Sequence, residues 1–216
     1  MAALGKIFRP VVDTIFPATC WVDAFAPAEE GGLSERARLA LGALAAQPYC
    51  MRCGLTTGPY EQLHTAGDPC GRCGERVTGL RATARVGVFA EPLVTLVHRL
   101  KFGAAWEVAR VAAPFLRHAL ERASHETGQP VEVLAPVPLH WLRRARRGFN
   151  QAEELARETG RLGGWTVALP LKRVRRTAEQ ARLGSATRRQ ENLRGAFVAR
   201  ADRRIAGKHV WLIDDV

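Results

Sequence analysis

Two pairs of cysteines and one pair of aspartates are the residues whose types and spacing speak most directly of chemistry. Cys50-Met51-Arg52-Cys53-Gly54 and Cys70-Gly71-Arg72-Cys73-Gly74 form the pattern C-x2-C-x16-C-x2-C, with a glycine after each second cysteine. A C-x2-C turn aims two sulfurs at one point, and two such turns complete the tetrahedral thiolate site of a zinc ribbon, with Zn–S distances of about 2.3 Å. Glycine relieves crowding where the backbone amides turn toward the thiolates. Two other uses of paired cysteines stand beside this one. Disulfides belong to oxidising compartments, and a redox C-x-x-C opens a helix after a strand, whereas these pairs lie among Gly, Pro and Thr. The set Cys50, Cys53, Cys70 and Cys73 is therefore expected to bind structural Zn²⁺. Four thiolates satisfy the ion without His64, which reads as a loop residue. Cys20 stands alone, with Asp23 where a partner would complete a third pair, and reads as a buried or idle thiol.

Asp214 and Asp215 follow the run Val210-Trp211-Leu212-Ile213. Four consecutive apolar residues predict a strand buried on both faces, as in a parallel sheet. Ligands of open α/β sheets bind beyond the carboxyl ends of the strands. Adjacent carboxylates there can accept hydrogen bonds from a sugar diol or hold Mg²⁺ through oxygen. The plainer reading is that they open a turn or cap a helix.

The third feature is positive charge. Of the formal net charge of +11, residues 1–135, with 14 Lys/Arg against 13 Asp/Glu, carry +1, and residues 136–216, with 18 against 8, carry +10. Charge confined to one part of the chain belongs to a surface or site that attracts phosphates, on a metabolite or on nucleic acid. Arginine makes up 28 of the 32 basic residues; that fits bidentate phosphate contacts and equally a GC-rich genome. The run His140-Trp141-Leu142-Arg143-Arg144-Ala145-Arg146-Arg147-Gly148 is an anion-site candidate at a strand-to-helix junction, or a solvated basic turn. The segment 172–197 is basic and poor in apolar anchors. Such segments form covers over phosphate sites or nucleic-acid-binding arms. Its single aromatic, Phe197, argues against a base-stacking platform within it.

These groups need elements to position them. A first helix over the N-terminal twenty residues is amphipathic in pattern. Its apolar stretch is interrupted by Pro10, Asp13 and Pro17, which argues against a signal peptide. Ser34 caps a helix with Leu39, Leu41 and Leu44 as apolar contacts, ended by Pro48. Arg85-Val86-Gly87-Val88-Phe89 reads as a strand. Glu91-Pro92 opens a helix with Leu93, Leu96, Val97 and Leu100 on one face. A second helix spans 104–124, with a kink or break expected at Pro114. Val131–Pro138 is a strand, 151–160 a helix closed by Gly160, and Trp165–Leu169 the next strand. The alternation of strands and helices makes the body α/β. With 47% hydrophobic and 25% charged residues the chain is globular, and it has no run of 18 apolar residues. A cytoplasmic protein without a membrane span is expected.

In order along the chain, the two cysteine knuckles, Arg99-Leu100-Lys101-Phe102, Pro136-Val137-Pro138-Leu139, Arg147-Gly148-Phe149-Asn150-Gln151, Lys172-Arg173 with Thr177 and Gln180, Arg188-Arg189, Asn192, Gly195-Ala196-Phe197 and Leu212-Ile213-Asp214-Asp215-Val216 resemble the ComF family of phosphoribosyltransferase-like proteins associated with natural transformation. The resemblance covers nearly the whole chain. It implies a type I phosphoribosyltransferase-like doubly wound parallel sheet over 80–216, preceded by a helix and zinc-ribbon module over 1–79. It implies that Asp214 and Asp215 bind the ribose of phosphoribosyl pyrophosphate with Mg²⁺. Arg144, Arg147, Arg176 and Arg188 become the phosphate-binding candidates, and 172–194 a hood. The family association and the +10 charge of residues 136–216 also support an alternative, a non-enzymatic accessory of DNA uptake that binds single-stranded DNA or a helicase partner through the basic C-terminal half. The family pattern continues with a Thr-Thr-Gly phosphate loop, a helix and a strand that this sequence does not contain. The expectation is thus half of a ribose-phosphate site, with no transferase activity in the chain as it stands; no residue identifies an acceptor.

Overall fold

Val133-Leu134-Ala135-Pro136 is buried at every position, and the rest of the α/β body is arranged around it. The structure, a computed structural model, describes residues 19–23, 25–29, 31–58, 68–73, 79–102, 107–178 and 184–215. Their elements in order are α1 (Glu35–Ala46), α2 (Leu93–Phe102), α3 (Glu107–Thr127), β1 (Val133–Pro136), α4 (Trp141–Arg147), α5 (Gln151–Gly163), β2 (Thr166–Val167), β3 (Leu171–Arg173), α6 (Ala186–Leu193), β4 (Phe197–Ala199), a 3₁₀ turn (Arg203–Ile205) and β5 (Val210–Ile213). The expected N-terminal helix, His64, Gly74 and Gln180 lie outside the described residues.

The main sheet is parallel, in the order β2-β1-β5, with Leu134 opposite Trp211 and Pro136 opposite Ile213. Parallel neighbours require crossovers. The β1-to-β2 crossover contains α4 and α5. Helix α5 lies against all three strands and against α3. Its close approach to β2 depends on Gly160, where a Cβ would sit 2.8 Å from the Val167 side chain and 3.0 Å from the Trp165 carbonyl. The helix therefore continues past Gly160 to Gly163: this glycine serves packing rather than termination. One buried cluster joins Cys20, Leu33, Leu41, Tyr49 and Met51 to Leu100, Val108, Leu134, Leu155, Trp211 and Ile213.

Several expectations change. Residues 85–89 form no strand. Their backbone packs on the end of α1, where the Val88 N–H donates to the Leu44 carbonyl at 3.4 Å and Gly87 lies against Leu44 and Ala45. Strand β5 is covered on one face only: Trp211 and Ile213 join the core cluster, whereas Val210 and Leu212, on the opposite face, are exposed. Leu39, expected as an α1 contact, is 68% exposed, whereas Leu41 is buried. Helix α3 runs through Pro114, whose ring faces solvent. The basic segment expected to be irregular contains an antiparallel ribbon pairing Leu171–Arg173 with Phe197–Ala199, with α6 between the two strands in sequence.

Candidate functional site

Two clusters of ionisable groups stand out, and each is built by a different part of the chain. In the first, the Sγ atoms of Cys50, Cys53, Cys70 and Cys73 all lie within 4.8 Å of one another. Both knuckles are tight turns: the Gly54 N–H donates to the Cys50 carbonyl at 2.7 Å, and the Cys73 N–H to the Cys70 carbonyl at 3.1 Å. Gly54 has φ +78°, a left-handed conformation that a side chain would strain. The separations Cys50–Cys73, 4.0 Å, and Cys53–Cys70, 3.8 Å, match the roughly 3.8 Å edge of a thiolate tetrahedron around zinc and far exceed a disulfide bond; all the described cysteines are free thiols. Burial pushes the Cys53 thiol up to about 12. At Cys70 the same burial is outweighed by the backbone N–H groups of Cys73 and Arg72, which bring it down to about 7 and favour the thiolate, the metal-binding form. The donor set fits a closed structural metal site.

Cys20 is outside this cluster and 1% exposed. Its sulfur accepts the Ser34 N–H at 3.2 Å and the Val22 N–H at 3.4 Å; burial raises this thiol, and the backbone hydrogen bonds, Ser34 first, more than offset it, so the net shift is downward.

The second cluster lies where β1 and β5 end. The Val137 N–H extends the ladder to the Ile213 carbonyl at 2.9 Å, and Asn150 Nδ2 donates to the Val137 carbonyl at 3.1 Å, tying the start of α5 to the end of β1. Immediately beyond β5, Asp214 Oδ1 accepts the Asp215 N–H at 2.9 Å. Lys101, at the end of α2, approaches Asp215 Oδ1 at 3.4 Å. Both acids border a largely apolar cavity of about 250 Å³ between α2, α3 and the 84–89 loop. Loss of solvent, reinforced by repulsion from Asp215, pushes Asp214 up to about 6, with the Asp215 amide and Lys101 acting in the other direction. Asp214 nevertheless keeps an exposed surface, so an incoming donor or cation can reach it.

The basic residues divide into committed and free groups. Arg144, a phosphate candidate, reaches Glu153 Oε2 at 3.2 Å, and that Glu side chain is only 5% exposed. Arg147 donates to Gln151 Oε1 at 3.2 Å and lies 5.3 Å above the Phe102 ring. Arg176 and Arg188 are exposed, and their side chains have no polar partner among the described residues. Two arginines outside the sequence-based set converge near the acids. Arg143 donates to the Thr177 carbonyl at 2.8 Å, and Arg173 donates to the Thr177 hydroxyl and stacks on Phe197 at 5.2 Å. Burial and the neighbouring Arg143 lower the Arg173 guanidinium, while Asp214 opposes them; these two arginines and Asp214 thus share one electrostatic environment. Lys101 and Arg173 were visible only as members of longer motifs; their approach to acids more than forty residues away in sequence carried no local signal. Among the described residues no helix is long and apolar enough to cross a membrane.

No protein-family model matches the chain, and no solved structure matches it significantly. Curated relatives do. The chain is 36% identical over 169 residues, 77% of its length and 70% of the relative's, to a DNA utilization protein, YhgH, of Salmonella typhi. It is 35% identical over the same span, 77% and 70%, to the protein of that name in Escherichia coli K12. It is 34% identical over 177 residues, 78% and 72%, to Competence protein F of Haemophilus influenzae.

Proposed function

The chain belongs to the ComF family, and from that premise we propose that its strand-end crevice binds a phosphorylated ribose, with phosphoribosyl pyrophosphate as the type ligand, in the service of DNA uptake. The observation that carries this is the Asp214–Asp215 pair at the open end of a parallel strand, with Lys101 on one acid and Arg143 and Arg173 nearby. Carboxylates accept hydrogen bonds from a vicinal diol, and the positive charge of Arg143 and Arg173, which share an electrostatic environment with Asp214, favours a diphosphate. Mg²⁺, arriving with the diphosphate, supplies further charge neutralisation. Arg176 and Arg188, exposed and without a polar partner among the described residues, lie on the segment that includes the β3–β4 ribbon and can add donors. In this reading 80–216 is a phosphoribosyltransferase-like domain. The module over 1–79 is held by structural zinc.

Thermal unfolding of the chain with millimolar phosphoribosyl pyrophosphate and Mg²⁺ tests the reading. The melting temperature is expected to rise by several degrees, since ligand at a hundred times Kd stabilises by about 2.7 kcal/mol, and Asp214→Asn/Asp215→Asn should abolish the rise. An unchanged midpoint in the parent would overturn the assignment.

A second reading is favoured by a separate observation: α4, Trp141-Leu142-Arg143-Arg144-Ala145-Arg146-Arg147, buries none of its residues, in the part of the chain with a charge of +10. Such a surface fits single-stranded DNA, and the relatives' names associate them with DNA utilization and competence. Anisotropy of a labelled oligothymidylate should show binding whose log K falls with log salt by about 0.7 per neutralised phosphate. Absence of binding at 50 mM salt would end this reading.

A further inference from the structure

We propose that Trp141 is a base-stacking platform for single-stranded DNA, with Arg144 and Arg146 receiving the flanking phosphates. The inference deepens the second reading above and rests on it. Trp141 is 67% exposed, although tryptophan is among the side chains that gain most from leaving water. Its position is nevertheless held. The buried His140, 7% exposed, caps α4 by accepting the Leu142 N–H on Nδ1 at 3.4 Å. The His140 ring lies 5.8 Å from the Trp141 ring, tilted by 35°. The indole thus has the buried His140 ring as its aromatic neighbour, while much of its surface stays open.

The four arginines of α4 divide around it. Arg143 and Arg147 turn inward, holding the helix to the Thr177 carbonyl and to Gln151. Arg144 stands one turn beyond Trp141 on the same face, with its side chain 58% exposed despite its contact with Glu153. Arg146 is exposed and has no polar partner among the described residues. An open indole with one guanidinium on its own face and a second outward guanidinium further round the same short helix has the composition of a single-strand site, in which a π-face takes a base without regard to sequence and cations take the phosphates. An acidic protein would satisfy the arginines but has no regular use for the open ring. A duplex hides its base faces.

The experiment uses the full chain, a fluorescein-labelled oligothymidylate, the matching oligouridylate and a duplex of equal length, each at several salt concentrations. Trp141→Ala is expected to weaken oligothymidylate binding roughly tenfold to a hundredfold with an unchanged salt slope, because a ring releases no counterions. Trp141→Phe should retain most of the affinity. Arg146→Ala should reduce the slope by about 0.7. The DNA-induced quench of tryptophan fluorescence should disappear in Trp141→Phe, a readout that does not depend on the alanine variant folding. If the parent binds and Trp141→Ala remains within twofold of it, or the quench persists in Trp141→Phe, the stacking role is overturned while the DNA reading stands. If the parent binds none of the oligonucleotides, the DNA reading fails and takes the inference with it. Preference for the duplex or for oligouridylate would overturn the assignment to single-stranded DNA.

Discussion

The cysteine cluster and the acid pair are both sets of groups that repel one another when ionised, yet the protein surrounds them differently. Cys50, Cys70 and Cys73 are buried to 5% exposure or less, and the amides that stabilise thiolate come from the same short turns that carry the sulfurs. One cation at the centre would satisfy all four, leaving no open coordination position. Asp214 and Asp215 sit at the open end of a strand. Lys101 neutralises only one of them, and the other is left with its proton held up to about 6. A site completed by its own local backbone can hold a fold together. A site left short of positive charge, beside arginines from another element, has the arrangement the proposed ligand site requires.

The contrast breaks first at the cysteines. If the cluster is structural, purified chain should contain about one equivalent of zinc, and Cys50→Ser should lose it together with roughly 3 kcal/mol or more of stability, because metal binding is folding free energy in such modules. At this chain length that is a fall in melting temperature of roughly 6 °C or more. Elemental analysis finding no zinc in the parent would remove the distinction between the two clusters altogether.

The two clusters also differed in how far they could be read from residues. The knuckles were legible because their geometry is local: 24 consecutive residues, Cys50 to Cys73, contain every ligand. The acids were legible because the end of an apolar strand is itself a position in an α/β fold. The partners of the acids were not. Lys101 and Asp215 are separated by more than a hundred residues, and β3 finds β4 across α6, a pairing no local pattern encodes. Arg144 was readable as a basic candidate, but its contact with the buried Glu153 of the following helix was not. The strand expected at 85–89 failed for a related reason: its backbone docks on the end of α1 through the Val88 N–H and Gly87. Helix α4, at seven residues, is too short for its periodicity to register.

The joint between the two regions sharpens the comparison. Arg85 Nη1 donates to the Gly54 carbonyl and to Thr56 Oγ1, both at 2.9 Å, and Nη2 to the Gln47 carbonyl at 3.3 Å. Its guanidinium lies 4.6 Å from the Tyr49 ring centre, and that of Arg122, from α3, at 5.1 Å. A planar fork is required, so Arg85→Lys should recover little of what Arg85→Ala loses. We expect Arg85→Ala to cost about 2 kcal/mol through orphaned carbonyls and the lost ring contact, measured by urea unfolding. Zinc content should be unchanged, since the knuckles close on themselves. Loss of zinc in this variant would show that the cluster depends on the body and is not locally complete.

The smallest effect bears on the acids, and it has a sign opposite to that of an ordinary paired carboxylate. Asp214 faces Asp215, Lys101 and Arg173, and in the folded chain it holds its proton up to about pH 6 rather than the usual 4 or so. A carboxyl raised on folding binds protons more tightly in the native state, so stability falls as pH rises from about 4 to about 6, and the deficit persists above that. Asp214→Asn removes the charge and keeps the shape. It should therefore stabilise the unliganded chain at pH 7, by no more than about 1 kcal/mol once solvent screening of the exposed side is allowed for. The gain should vanish below about pH 4, where the parent is protonated in both states. The same substitution should weaken ribose-phosphate binding, so that one residue trades stability against ligand in opposite directions. Parallel unfolding curves at pH 3.5 and pH 7 decide this. A variant less stable than the parent at pH 7 would mean that Asp214 is already satisfied, like the sulfurs, and that the open end of β5 has no charge deficit for a ligand to fill.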